Sequence, residues 1–342
     1  MALGQSQTSQ FKLEDRVSEF LLLPQTWTLL GDSGLFQEEF LSTNTVSFEA
    51  RSGTLAVVKD QIRGSKPQTV SNDVRKLRTY STSYHPLTDA LYPQDIAGVT
   101  RPGSMGQQLD TKDAALVRKM EKIRKSFDMT IELARWRTLG TGTAWSPNST
   151  ISENFYTDAG ATRNEVDFVF GTSTTDIIDK CQQIIQGFQD AATEGQVIQR
   201  VIGYCSKAFF TKLIAHAKVQ TAYTYYAATE GQSILRNRAG GMGLYRTFSF
   251  GGIDFIEVTQ SYGGTAFVTA GDCVFVAQDD MGSFTTYYSP AARFGYVNTI
   301  AERGYVWTFE DPRMTEITIE AEMSMLNVLR QPSFVARGFS SN

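Results

Sequence analysis

The feature that most limits how this chain can fold is one apolar stripe running through residues 110–139. Leu116, Met120, Ile123, Phe127, Ile131 and Ala134 recur at steps of three and four, the spacing that lines side chains along one face of an α-helix. Asp110 and Asp113 predict an N-terminal cap and acidic first turn, Arg135 and Arg137 a basic last turn, and Gly140 the stop. At ~1.5 Å per residue this helix spans about 45 Å. Such a helix is long for an isolated globular domain, and it reads as a beam supporting a flat plate.

Other segments read differently. Residues 1–10 are polar and rich in Gln, Ser and Thr, a composition that buries too little apolar surface to order itself. Residues 17–30 carry Phe20, Leu21, Leu22, Leu23, Trp27, Leu29 and Leu30, interrupted by Pro24, and form a hydrophobic anchor within the subunit or on a neighbour. Between 45 and 80, Val46, Phe48 and Ala50 alternate, as do Leu55 and Val57, before a polar stretch with Gly64, Ser65 and Pro67. This predicts two strands flanking an exposed tip. The return strand bears Arg75, Lys76 and Arg78, which cannot face a core unpaired. Pattern alone favours a solvated hairpin over an arm reaching another subunit.

Beyond Gly140-Thr-Gly142, the pattern predicts a strand at 165–170 and a helix at 174–193 with Ile177, Ile178, Cys181, Ile184, Ile185 and Phe188 inward. A strand at 197–205, a helix at 206–226 and strands near 250–258, 266–269 and 274–277 complete an α+β unit. Strands are expected at 304–309, 315–321 and 323–329.

At 342 residues the chain is long enough to divide its core between domains. Hydrophobic residues at 41% and charged residues at 20% describe an ordinary soluble protein. A net charge of -4 supplies no general attraction to nucleic acid. Cys181, Cys205 and Cys273 lack a C-x-x-C spacing and read as buried thiols. No signal peptide or membrane-length apolar run is expected, and the Asn148-Ser-Thr150 sequon reads as chance.

Catalytic signals are sparse. Neither His85 nor His216 lies in a metal-binding pattern; His216 reads as a structural residue within a helix and His85, before Pro86, as a turn residue. Gly140-Thr-Gly142 and Gly240-Gly-Met-Gly243 lack the phosphate-loop patterns and read as turns. The adjacent carboxylates Glu38–Glu39 and Asp279–Asp280 have no specific support as a glycosidase pair. Tyr223, Tyr225 and Tyr226 lack the interleaved Lys or Arg of a nucleic-acid platform. No catalytic, metal-binding or cofactor-binding residue is assigned.

Four segments near the C-terminus carry a resemblance: Phe248-Ser-Phe-Gly-Gly-Ile-Asp-Phe-Ile-Glu-Val258, Asp272-Cys-Val-Phe-Val-Ala-Gln278, Trp307-Thr-Phe-Glu-Asp-Pro312 and Met323-Ser-Met-Leu-Asn-Val-Leu329. With the polar arm, anchor, basic two-stranded arm and long helix before them, their order resembles the lambda-like phage major capsid protein E family. The resemblance implies an α+β fold of the Hong Kong 97 capsid type. It divides the chain into an N-terminal arm and anchor (1–44), an extended loop (45–82), a first peripheral part with the spine helix (83–165, helix 110–139), an axial domain (166–290) and returning peripheral strands (291–342). It reverses the preference at the basic arm: Arg63, Lys66, Arg75, Lys76 and Arg78 become candidate contacts between subunits, and Gly240, Gly241, Met242 and Gly243 an axial-domain turn.

The implied partners are copies of the chain in pentamers and hexamers, a portal, a scaffold and a decoration protein. The shell would enclose double-stranded DNA without sequence-specific binding and without a membrane, reside in the virion and form in the host cytoplasm. Two alternatives stay open: an encapsulin-like nanocompartment shell, and a soluble α+β enzyme with an unidentified site.

Overall fold

The computed structural model describes residues 12–26, 28–52, 74–98, 110–192, 196–222, 245–262, 264–279 and 282–342. In chain order, β1 (Lys12–Asp15), α1 (Val17–Leu22), α2 (Leu29–Asp32), β2 (Gln37–Phe40), β3 (Thr45–Ser52), β4 (Val74–Ser81) and β5 (Ser83–Leu91) precede the long helix α3 (Lys112–Thr141). Then come α4 (Phe155–Ala159), β6 (Asn164–Asp167), α5 (Ile177–Ala191), β7 (Ile198–Ser206), α6 (Lys207–Ala215), β8 (Thr247–Phe250), β9 (Ile253–Val258), β10 (Ser261–Tyr262) and β11 (Thr265–Ala266). The chain closes with β12 (Cys273–Asp279), β13 (Phe284–Tyr288), β14 (Tyr305–Glu310), β15 (Ile317–Leu329) and β16 (Val335–Phe339).

The plate beneath the beam is a six-stranded sheet whose centre is β15. Its 13 residues pair antiparallel with β5, β14 and β13; β1 adds to β14, and β2 runs parallel to β13. The strands expected at 315–321 and 323–329 are therefore one. Glu322 interrupts the apolar pattern between them, but its carboxylate accepts the Ala292 N–H and faces Arg293, so the strand continues through it. All six stripe residues of α3 are buried against this sheet, among Tyr288, Val306, Ile319, Ala321, Met323 and Met325.

Both helix ends differ from expectation. The Thr111 hydroxyl, not Asp110, caps the start by accepting the Ala114 N–H. Asp110 instead holds Arg118 and the Thr111 N–H. At the other end the helix runs through Gly140 and stops at Gly142, whose φ of 72° is left-handed and whose hydrogen in place of a side chain leaves room for the Tyr156 ring. Arg135 is buried and serves no terminal turn.

The second six-stranded sheet has the order β6-β16-β12-β7-β9-β8. Asp176 caps α5, which turns Ile177, Cys181, Ile184 and Phe188 inward. Ile178, expected inward, is exposed, because the apolar arc of α5 is narrower than its isoleucines suggest. The strand expected at 165–170 stops at Asp167, since Val169 takes a positive φ of 46°. The helix expected at 206–226 breaks at His216, which turns extended and places Nε2 3.1 Å from the Thr172 carbonyl. Helix resumes at 217–222, and the remainder lies outside the described residues.

His85 is not in a turn but on β5, opposite Met323, with Nε2 2.8 Å from the Ser83 hydroxyl. Pro86 is tolerated there because, among the described residues, β5 pairs on one side only. The chain crosses between the sheets: β12 lies in the second, β13, β14 and β15 in the first, and the C-terminal β16 returns to the second, between β6 and β12. A continuous core joins them, with Trp136 of α3 edge-on to Tyr204 and stacked on Phe267. Cys181, Cys205 and Cys273 are free thiols buried in that core.

Candidate functional site

Beside its apolar stripe, α3 carries a second stripe that is charged and buried. Arg124, Asp128, Glu132 and Arg135 are each 1–2% exposed, and their steps of four, four and three repeat the spacing of the apolar set. Opposite them lies the segment from α1 to β2. Arg124 donates to the Phe20 carbonyl at 3.2 Å, the Thr26 N–H donates to Asp128 at 2.9 Å, and the Leu30 N–H donates to Glu132 at 3.0 Å. Trp136 Nε1 donates to the same Glu132 oxygen at 2.8 Å. The result is a row of clamps fixing the N-terminal segment along the helix.

The row continues into the sheet. Arg135 donates to Glu38 at 2.8 Å and to the Thr286 hydroxyl at 3.1 Å, and the Tyr288 hydroxyl donates to the same Glu38 oxygen at 3.2 Å. Arg303 lies 3.4 Å from Asp128 and 3.7 Å from Glu38. Burial pushes the Asp128 and Glu132 carboxyls up and the Arg124 guanidinium down. For Arg303 burial acts downward but is outweighed by Tyr288, Glu38 and Asp128, which together hold it up. Three acids and three arginines balance, as buried charge requires.

Sequence reasoning missed this cluster. The helical spacing of its four α3 members was readable, whereas Glu38 arrives from β2 and Arg303 from the loop before β14.

The two strands of the arm pair as expected, Thr45 opposite Ser81 and Ser52 opposite Val74, while Leu55, Val57 and the tip with Gly64, Ser65 and Pro67 fall outside the described residues. Its base is locked by aromatic contacts: Phe48 lies 5.7 Å from Tyr80 and 5.4 Å from Tyr287, and Tyr80 packs edge-on against Phe155. The Tyr80 hydroxyl donates to Asp158 at 2.8 Å, and burial with that carboxylate pushes it up to about 12. Arg330 reaches over Phe48 and Tyr287 and pairs with Glu39 at 2.6 Å.

Of the candidate contacts, Arg78 stands opposite Phe48 and lines a cavity with Tyr80 and Arg330 on its own subunit. Arg75 and Lys76 lie on β4 opposite Arg51 and Ala50. Arg63 and Lys66 fall outside the described residues, as does the turn of Gly240, Gly241, Met242 and Gly243. The sequence reading passed over Leu77, which leaves its side chain in solvent on the arm.

The carboxylate pair Glu38–Glu39 is split, Glu38 in the buried cluster and Glu39 on Arg330. Asp279 accepts from the Ser283 hydroxyl, while Asp280, Tyr223, Tyr225 and Tyr226 fall outside the described residues. Among the described residues no group of His, Cys, Asp and Glu is arranged to hold a metal ion, and no helix is long and apolar enough to cross a membrane.

A beam on a plate, a two-stranded arm and a second sheet with its own helices have direct counterparts among known proteins. Residues 20–340 match the Phage major capsid protein E family. The chain belongs to that family. It is 33% identical over 346 residues to the major capsid protein of Pseudomonas phage KPP10, covering 96% of this chain and 97% of that one. It is 23% identical over 359 residues to the major capsid protein of Salmonella phage Felix O1 (isolate Felix O1-VT1), covering 97% of each. A putative capsid protein of an E. coli CFT073 prophage shares the fold at a TM-score of 0.53 and 11% identity, covering 90% of this chain and 92% of that one. The capsid family thus accounts for the expected α+β fold of Hong Kong 97 type, and the chain is a phage major capsid protein and a component of the virion.

Proposed function

We propose that this capsid protein assembles as pentamers and hexamers into the icosahedral head of a tailed phage and encloses double-stranded DNA without reading its sequence. The family match across residues 20–340 carries the proposal. Its role is structural rather than catalytic. The first sheet with α3 serves as the peripheral domain. The second sheet with α5 and α6 serves as the axial domain around the five-fold and six-fold axes, so the expected division at 166–290 loses β13 to the peripheral sheet and takes in β16. Portal, scaffold and decoration proteins are its partners during assembly in the host cytoplasm.

In this reading the segment 45–82 is an extended loop lying across a neighbouring subunit. Its locked base and outward Leu77 support that role. Arg63, Lys66, Arg75, Lys76 and Arg78 supply contacts each worth roughly 0 to 1 kcal/mol, repeated at every copy around the shell and so cumulative. The experiment is sedimentation of wild type beside a variant with these five residues changed to Ser. Wild type should run as large particles and the variant as a folded subunit of unchanged circular dichroism. Wild-type particle yields from the variant would reduce the arm to a solvated hairpin.

A further inference from the structure

The loop of residues 289–304, between β13 and β14, presents a knob. Phe294 is 102% exposed, with Val297 and Ile300 outward beside it. The loop is nonetheless firmly held. Arg293 lies 3.8 Å over the Trp307 ring, Tyr296 packs edge-on against Tyr305 and Trp307, and the Ala301 N–H donates to the Leu41 carbonyl at 2.8 Å. A rigid loop that aims a phenylalanine into water costs solubility unless something covers it.

The same sheet offers a hole elsewhere. A cavity of about 330 Å³ opens where β5 ends and β14 turns into β15, its apolar wall made by Leu91, Pro93, Ile96, Met314 and Ile317, with the charged Lys112, Glu310 and Glu316 also lining it. An apolar cavity of about 150 Å³ already accepts a benzene ring. Its lip is also built. Met314 is 83% exposed and takes a left-handed φ of 54°, an unfavourable conformation held because Asp311 binds both the Met314 N–H through its carbonyl and the Thr315 hydroxyl through its carboxylate.

We propose that Phe294 of one copy of this chain seats in the Leu91–Met314–Ile317 cavity of the next copy. The inference rests on the head-subunit reading, which supplies the second copy. Within one subunit knob and hole lie on opposite faces of β14, since Arg293 beside the knob covers Trp307 and Phe309 whereas Glu310, on the other face, lines the cavity. Knob and hole are therefore different patches, and the contact is head-to-tail, the type that closes rings or propagates a lattice.

The experiment is disulfide capture in particles of the full chain. Gly295→Cys leaves Phe294 in place and puts its side chain in open space, Met314→Cys sits on the lip, and the native cysteines are buried. On oxidation by air with copper phenanthroline, two thiols lose two protons and two electrons to form the disulfide. Particles of the double variant should then run as a covalent ladder on a non-reducing gel, with each single variant remaining monomeric. Phe294→Ala should cut particle yield at least tenfold with an unchanged melting curve, and Phe294→Leu should restore most of it.

Intact particles whose double variant stays monomeric would overturn the contact and leave the head-subunit reading standing. So would strong dimers from Gly295→Cys alone, which indicate a two-fold contact, or a normal particle yield from Phe294→Ala. Absence of particles from wild type would overturn both.

Discussion

Glu132 shows what a single buried charge does in this fold. It accepts the Leu30 N–H and the Trp136 indole N–H on one oxygen, so truncation leaves two buried donors without partners, each costing roughly 1–3 kcal/mol. Glu132→Ala should destabilise the unassembled subunit by about 3 kcal/mol, and Glu132→Gln, which keeps an acceptor, by about 1 kcal/mol or less. Denaturant titration of both variants checks the ordering; equal losses would mean that packing rather than hydrogen bonding holds the segment.

His85 gives a pH-dependent counterpart. Burial lowers its pKa below the ordinary 6.5, so the unfolded chain takes up the proton more readily. Stability is full above about 6.5 and is lost as pH falls toward the depressed folded value. Asp128 and Glu132, raised by burial, act in the opposite sense at acid pH, so the difference between variants is what isolates His85. Wild type should lose more melting temperature than His85→Gln between pH 7.5 and 5.5, and parallel losses would exclude the histidine. Neither residue was legible as functional. Glu132 does not stand out in the sequence and His85 reads there as a turn residue, because Leu30 and Met323, which place them, lie about a hundred residues or more away.

Among the elements, α3 was the most legible, because a helix pressed on a sheet writes its contact face directly into the spacing of its apolar residues. Its ends were not, since capping is decided by which neighbouring side chain reaches the terminus: Arg118 draws off Asp110 and the Tyr156 ring requires Gly142. Strand β15 was misread for a related reason, as the Ala292 N–H and Arg293 together satisfy Glu322 inside a continuous strand. Phe127 tests the helix reading. It is 6% exposed and edge-on to Phe20. Phe127→Asp places an unpaired charge in the core, a change costing several kcal/mol, and should abolish recovery of soluble subunit. Wild-type helix content and melting from this variant would put the stripe on the wrong face.

At the scale of the whole molecule, the chain exchanges sheets late, leaving the second after β12, running β13, β14 and β15 through the first, and returning to complete the second with β16. That exchange was not visible in the sequence, because strand partnership is set by contacts between distant segments whereas local pattern reports only strand character. It ties the two sheets mechanically, so strain at one sheet is felt by the other through the shared core. The central claim is that this subunit closes into a head with its arm laid on a neighbour. Cryo-electron microscopy of particles formed by the purified protein tests it most directly. The account predicts a closed icosahedral shell of pentamers and hexamers, with density for β3 and β4 crossing onto the adjacent copy. Subunits that remain unassembled, or a shell in which that hairpin folds back on its own subunit, would contradict it.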